Sequence, residues 1–109
     1  MMNYSKNDVV LVRYPFSDLS SSKVRPAIII NTPSTSKDYF IVPLSSRTEN
    51  LLTGEFILED WQQAGLNVKS ILKRGIFTIE HTLIIKKIGT LTIEDSNKLE
   101  ESLKLWLGF

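Results

Sequence analysis

Cysteine is absent from the chain, which excludes disulfide frameworks and thiolate metal sites and suits a reducing compartment. Histidine occurs once, at His81, so no site within one chain can rest on two imidazoles. No Asp, Glu and His cluster has metal-ligand spacing, and neither a metal nor another cofactor is expected. No run approaches the roughly 18 apolar residues that a membrane span needs, and Met1-Met2-Asn3-Tyr4 lacks the charged-then-apolar pattern of a signal peptide. The expectation is a soluble, cytoplasmic protein with no membrane association. An excess of one charge is missing too. Thirteen basic against twelve acidic residues leave a net charge of +1, so any nucleic-acid site must be a local patch.

What the chain has is a 42% apolar content over 109 residues, enough for one core without a staple, so residues 1–109 read as a single domain. Asp8 to Tyr14 reads as the first strand, and Pro15 to Lys23, with three consecutive serines, has the composition of a mobile flap. Further strands are expected at Val24 to Asn31, Tyr39 to Leu44, Gly54 to Leu58, Lys69 to Leu72, Ile76 to Ile79 and Leu83 to Ile88. Turns fall at Thr32 to Lys37, Ser46 to Thr53 and Lys73-Arg74-Gly75. Asp60 suits the cap of a short helical turn through Ala64, ended by Gly65 as a left-handed C-cap. The clearest helix is the last. Thr92 is its N-cap, Asp95 three residues on makes a variant of the capping box, and Leu99, Leu103 and Trp106 form one apolar stripe. Short strands closed by one amphipathic helix predict a mainly β fold, a small barrel with a C-terminal helix.

Arg25-Pro26 followed by Ala27-Ile28-Ile29-Ile30 is the most informative segment. Its β-branched residues point to both faces, so the strand belongs inside a sheet, and a proline just inside its start loses no needed donor. Arg25 is then held on a stiff element with its guanidinium at a rim, where an anion binder is useful. An arginine at a strand end is more often solvated or salt-bridged than functional, but its neighbours add weight.

Upstream stands Asn7-Asp8-Val9-Val10-Leu11-Val12-Arg13-Tyr14-Pro15-Phe16-Ser17-Asp18, and downstream Phe40-Ile41-Val42-Pro43-Leu44-Ser45-Ser46-Arg47. Then come Gly54-Glu55-Phe56-Ile57-Leu58, Asp60 to Leu66, Phe77-Thr78-Ile79 and Ile88-Gly89-Thr90-Leu91. In this order the residues resemble the MazF/PemK toxin family, whose members open with a G-D-V strand and carry a hydrophilic loop, an R-P plus apolar strand and a V-P-x-T/S strand end. The likeness spans nearly the whole chain. It implies an SH3-like barrel of the kind shared by MazF, PemK and CcdB toxins. The implied activity is a metal-independent endoribonuclease of a type II toxin–antitoxin pair. Such enzymes cut single-stranded RNA, typically mRNA, leaving a 2′,3′-cyclic phosphate and a 5′-hydroxyl. A homodimer is implied as well, with a cognate antitoxin occupying the RNA groove.

By position, the family's catalytic arginine and strand-end hydroxyl map onto Arg25 and Ser45. A planar guanidinium clamps two phosphate oxygens of the transition state and can relay a proton to the leaving oxygen. A hydroxyl bonds a phosphate oxygen or the 2′-oxygen, although a strand-end serine also serves to satisfy nearby backbone. Candidate RNA-binding residues around the pair are Phe16, Lys23, Ser46, Arg47, Lys73 and Arg74, with Ser46 replacing Ser45 if the register slips by one. Tyr14, Phe16, Tyr39 and Phe40 flank the site as aromatics, Phe16 being the best stacking candidate. Trp61 and Trp106 read as core or interface anchors, and His81 as solvated. One of Lys86 and Lys87 is expected to point outward at an edge.

Two departures from the family pattern stand out. Arg74 occupies a slot where many members carry a carboxylate, which leaves the general base open. Asn7 replaces the usual glycine, a mild change because asparagine tolerates left-handed backbone. Two other classes stay open at this point: a CcdB-like toxin that binds gyrase without hydrolysis, and a catalytically inactive binding member of the fold.

Overall fold

The structure, a computed structural model, describes residues 4–14, 23–31 and 38–109. The expected flap, except Lys23, the turn at Thr32 to Lys37, Phe16 and Asp18 lie outside the described residues. Among the described residues seven strands are formed: β1 (Asp8–Tyr14), β2 (Lys23–Ile29), β3 (Asp38–Ser45), β4 (Phe56–Ile57), β5 (Ile71–Leu72), β6 (Phe77–Glu80) and β7 (Ile84–Thr90). A short 3-10 turn, His81–Leu83, precedes β7, and the helix α1 (Ile93–Leu107) ends the chain. Every ladder is antiparallel, in the order β4-β5-β3-β2-β1-β7, with β6 on the same edge of β3 as β5 but further back along it. Among the described residues β4 and β7 do not pair, so the expected barrel is an open sheet in its hydrogen bonding.

β2 lies between β1 and β3, as its two-faced apolar run requires. Ile28 packs on one face with Val9, Val42, Leu58, Leu72 and Leu99, beneath α1. Ile29 packs on the other with Val10, Val12, Ile41, Ile79 and Ile84. Both isoleucines are fully buried, so neither face of β2 is free for water. Asn7 takes the left-handed backbone expected of it, φ 78°, and its N–H donates to the Ile29 carbonyl at 2.7 Å. Asp8 fixes the start of β1 by accepting from the Ser5 N–H at 2.9 Å and pairing with Lys87 at 3.2 Å.

The helix differs from expectation in one instructive way. Thr92 is its N-cap, but the Asp95 carboxylate does not turn back to the Thr92 N–H as a capping box would. It accepts instead from the N–H groups of Glu59 and Asp60, at 3.1 and 3.0 Å, while the Thr92 hydroxyl donates to Asp60 at 3.0 Å. Asp95 and Ser102 therefore share the buried stripe with Leu99, and the Ser102 hydroxyl donates to the Gly54 carbonyl at 2.7 Å. Trp106 completes the stripe, its indole N–H donating to Thr53 at 2.8 Å.

Between Asp60 and Gly65 the expected helical turn is a set of hydrogen-bonded turns, with Ala64 N–H reaching the Asp60 carbonyl at 3.1 Å and Gly65 left-handed at φ 86°. A Cβ at Gly65 would fall 1.9 Å from the Ile88 carbonyl oxygen, and one at Gly89 2.1 Å from that of Ala64. Backbone thus lies directly on backbone here, and this contact seats the segment 65–70 against β7 as one wall of a cleft.

Candidate nucleic-acid interface

The ladder between β2 and β3 pairs Ile29 with Ile41, Ile28 with Val42 and Ala27 with Pro43, and stops there. Pro26 stands at this point and has no N–H to give to Leu44, the next residue across the ladder, whereas the Pro43 backbone faces the other edge, where its carbonyl accepts from the Lys73 N–H at 2.9 Å. Beyond the last pair the strands end around a cleft of about 880 Å³. Continued by one alternate pair, the register sets Arg25 opposite Ser45, on the face that carries Ala27 and Ile41. Side chains directly opposite in such a ladder have Cβ atoms about 5 Å apart. Both residues line the cleft.

Around them the fold gathers charge that is scattered in sequence. Arg25 comes from β2, Arg47 follows β3, Lys73 and Arg74 lie between β5 and β6, and Lys86 comes from β7. These five cations line the cleft, and no carboxylate, imidazole or thiol does so among the described residues. A nearly neutral chain therefore carries one strongly positive concavity, the local patch that the balanced composition required. Ser46 belongs to the same wall, as do the apolar Leu11, Leu44, Leu66 and Val68. Lys23 is exposed at the start of β2, opposite Tyr14, and does not line the cleft.

Ser45 partly serves the backbone: its oxygen accepts from the Arg47 N–H at 3.1 Å. That bond uses a lone pair and leaves the hydroxyl proton to be donated into the cleft. Tyr14 is on the same face, and burial pushes its phenol up to about 12, against the opposing pull of the Arg25 guanidinium. It stays a neutral hydroxyl throughout the physiological range. The other flanking aromatics are elsewhere: Tyr39 is core, its ring edge-on to Tyr4 at 5.7 Å, and Phe40 is exposed beside Thr78 outside the cleft. Beside Tyr14, the described aromatic that reaches the cleft is Phe77. Nothing in the sequence around Phe77 marks it for a cleft, because an aromatic in a strand such as β6 reads as core. Of the paired lysines, Lys87 goes to Asp8 and Lys86 to the cleft.

No carboxylate fills the slot at Arg74 from within its own segment, but one arrives from the segment before β4. Glu55 accepts from the Leu52 N–H and the Arg74 N–H, each at 2.8 Å. Burial alone would raise its pKa; the two N–H groups and the charges of Lys73 and Arg74 outweigh it, and the carboxyl is held below its ordinary 4.5. Glu55 is accordingly a clamp on the Lys73-Arg74 segment and a poor proton acceptor. Because its folded pKa is depressed, its contribution to stability is complete above 4.5 and disappears as pH falls through the lower folded value. Urea denaturation should show wild type more stable than Glu55→Gln at pH 7, with the difference gone in strong acid; a constant difference at all pH values would remove this role.

The family described as PemK-like, MazF-like toxin of type II toxin–antitoxin system matches residues 5–107. The chain belongs to that family. Comparison with curated proteins returned no match. Among solved structures, the Mycobacterium tuberculosis toxin MazF-mt6 is 18% identical, with a TM-score of 0.75 over 94% of this chain and 97% of its own. MazF from a MazE-MazF crystal structure from Deinococcus radiodurans is 13% identical, with a TM-score of 0.81 over 100% and 99%. An endoribonuclease in complex with its cognate antitoxin, from a mycobacterial species, is 15% identical with a TM-score of 0.73 over 97% and 96%. At these identities the likeness establishes a MazF-type fold. The cleft of this PemK/MazF-like toxin lies at the open ends of β2 and β3. Among its described residues no helix is long and apolar enough to cross a membrane.

Proposed function

We propose that this toxin is an endoribonuclease that cuts single-stranded RNA without a metal ion, leaving a 2′,3′-cyclic phosphate and a 5′-hydroxyl. The observation that carries the reading is the set of five cations, Arg25 among them, that lines the cleft with Ser45, with no carboxylate among the described lining residues. Such a lining attracts a polyanion and has no ligand set for a divalent cation. In the reaction the 2′-oxygen bonds to phosphorus as the bond from phosphorus to the 5′-oxygen breaks. Arg25 holds two non-bridging oxygens as charge builds on them, and the Ser45 hydroxyl donates to the same group. The leaving 5′-oxygen gains a proton from the guanidinium, which regains one from solvent. The 2′-hydroxyl proton passes to water, since the described lining offers no carboxylate or imidazole.

The test is incubation of the purified protein with a long single-stranded RNA in excess EDTA, followed by end analysis of the fragments. Cuts with 5′-hydroxyl ends support the enzyme. RNA retained on the protein but left intact supports a binding member without catalysis, a reading favoured by the missing carboxylate alone.

The partners proposed with this activity are a cognate antitoxin and a second copy of the chain. Leu51, Leu52, Leu105, Leu107 and Phe109 are exposed near the contact of Trp106 with Thr53, and Phe109 is 90% exposed. An apolar cluster of this kind calls for a cover. A monomer mass by sedimentation at micromolar concentration would exclude the homodimer.

A further inference from the structure

Phe77 is 39% exposed in a cationic cleft where a buried aromatic would be the rule for a strand. It pairs with Ile41 on β3 and so shares the face of Ile41, Pro43 and Ser45. Its ring does not stand upright over its own strand position. It leans back over Gly75, where a Cβ would come 3.2 Å from Cε2 and 3.6 Å from Cζ of the ring. Gly75 lies in the stretch 73–76 between the Ile41–Phe77 and Leu44–Leu72 pairs, four residues against two on β3, where the Pro43 carbonyl accepts from the Lys73 N–H at 2.9 Å. The lean therefore carries the ring toward the end of β3 that holds Ser45, and Phe77 lines the same cleft as Arg25 and Ser45. Gly75 permits this twice over: its φ of 144° is open only to glycine, and its missing side chain leaves room for the ring.

We propose that Phe77 is a stacking platform for a nucleobase next to the phosphate held between Arg25 and Ser45, and that Gly75 positions its ring. This rests on the reading of the cleft as an RNA site. The five cations grip the ribose-phosphate backbone whatever its bases, whereas a flat apolar ring beside them gains only from a base. Phe77 thus makes the site select single-stranded RNA over a bare polyanion. In a duplex the same base is already stacked on its neighbours.

The experiment compares two fluorescein-labelled probes by anisotropy: a short random-sequence RNA, 2′-O-methylated so that it cannot be cut, and a 2′-O-methylated ribose-phosphate oligomer of equal length without bases. Wild type should prefer the base-bearing probe. Phe77→Leu should weaken that probe about tenfold and leave the abasic probe unchanged, and Phe77→Trp should restore the preference. A merely structural role would move both probes together and would not be rescued by another aromatic. Equal weakening of both probes by Phe77→Leu, or no weakening of either, overturns the stacking role while leaving the nuclease reading intact. If wild type binds neither probe and leaves ordinary RNA whole, the RNA reading falls and this inference with it.

Discussion

Replacing Arg25 by alanine is expected to lower RNA cleavage about a thousandfold while the thermal transition stays in place. The loss is large because four further cations in the cleft, Arg47, Lys73, Arg74 and Lys86, supply positive potential without the position. They hold the strand but stand elsewhere on the rim. Only Arg25 comes from β2, where the β2–β3 register, if carried one alternate pair past its last bonded residues, faces it toward Ser45. The fold tolerates the change because the side chain is exposed and the strand's packing begins at Ala27. Arg25→Lys should fall between, since an ammonium keeps the charge and loses the planar fork that meets two oxygens at once. Ser45→Ala should cost about a hundredfold, because it removes the hydroxyl donor and also the acceptor that shapes the backbone at Arg47. Single-turnover cleavage of one RNA by all four proteins measures the series. Cutting by Arg25→Ala at the wild-type rate would end the assignment.

The second large effect is on stability. Asp95→Ala is expected to cost about 3 kcal/mol, seen as a fall in Tm of about 15 °C. Asp95 is fully buried, and its carboxylate accepts from two backbone N–H groups, those of Glu59 and Asp60. Alanine leaves both donors without an acceptor in a site closed by α1, which costs more than the bonds themselves were worth. Asp95→Asn should recover part of the loss, since one amide oxygen can still accept while the amide nitrogen faces a second donor. Cleavage by the folded fraction should change little, because α1 packs through Leu99 against Leu58 and Leu72, and none of its residues lines the cleft of Arg25 and Ser45. Thermal unfolding of the three proteins decides the matter, and a Tm for Asp95→Ala within a few degrees of wild type would show that the tie between helix and turn is dispensable.

Much of the fold was legible from local pattern. β1 was readable from end to end, β2 and β3 to within one or two residues, and α1 from its cap to its stripe. Each is written in consecutive residues whose spacing repeats a burial period. The misses have a common cause. Asp95 and Ser102 sit on the buried stripe of α1 because backbone donors and acceptors at 59, 60 and 54 come to meet them, and those partners lie some 35 to 48 residues away. Tyr39 and Tyr14 look alike in sequence, yet strand pairing sends the first into the core beside Tyr4 and the second to the cleft rim.

The candidate site divides the same way. Arg25 on a stiff strand and Ser45 at a strand end were visible as a pair, and Ser46, Arg47, Lys73 and Arg74 as their company. Lys86 and Phe77 were not visible, because nothing in their own neighbourhoods marks them as facing a cleft rather than water or core. Glu55 was not visible as the partner of Arg74, since that contact joins residues 19 apart across the β4 and β5 pair.

By itself the amino-acid order determined which stretches are strand or helix and which way each strand must be covered, because hydrophobic periodicity and capping act over a few neighbouring residues. Only the tertiary structure decided where charge accumulates. A chain with thirteen bases and twelve acids has no net field to speak of, and its cationic cleft exists because antiparallel pairing brings Arg25, Arg47, Lys73, Arg74 and Lys86 to one rim with no carboxylate among the described lining residues. Coulomb energy depends on distance through space, and distance through space is what pairing sets.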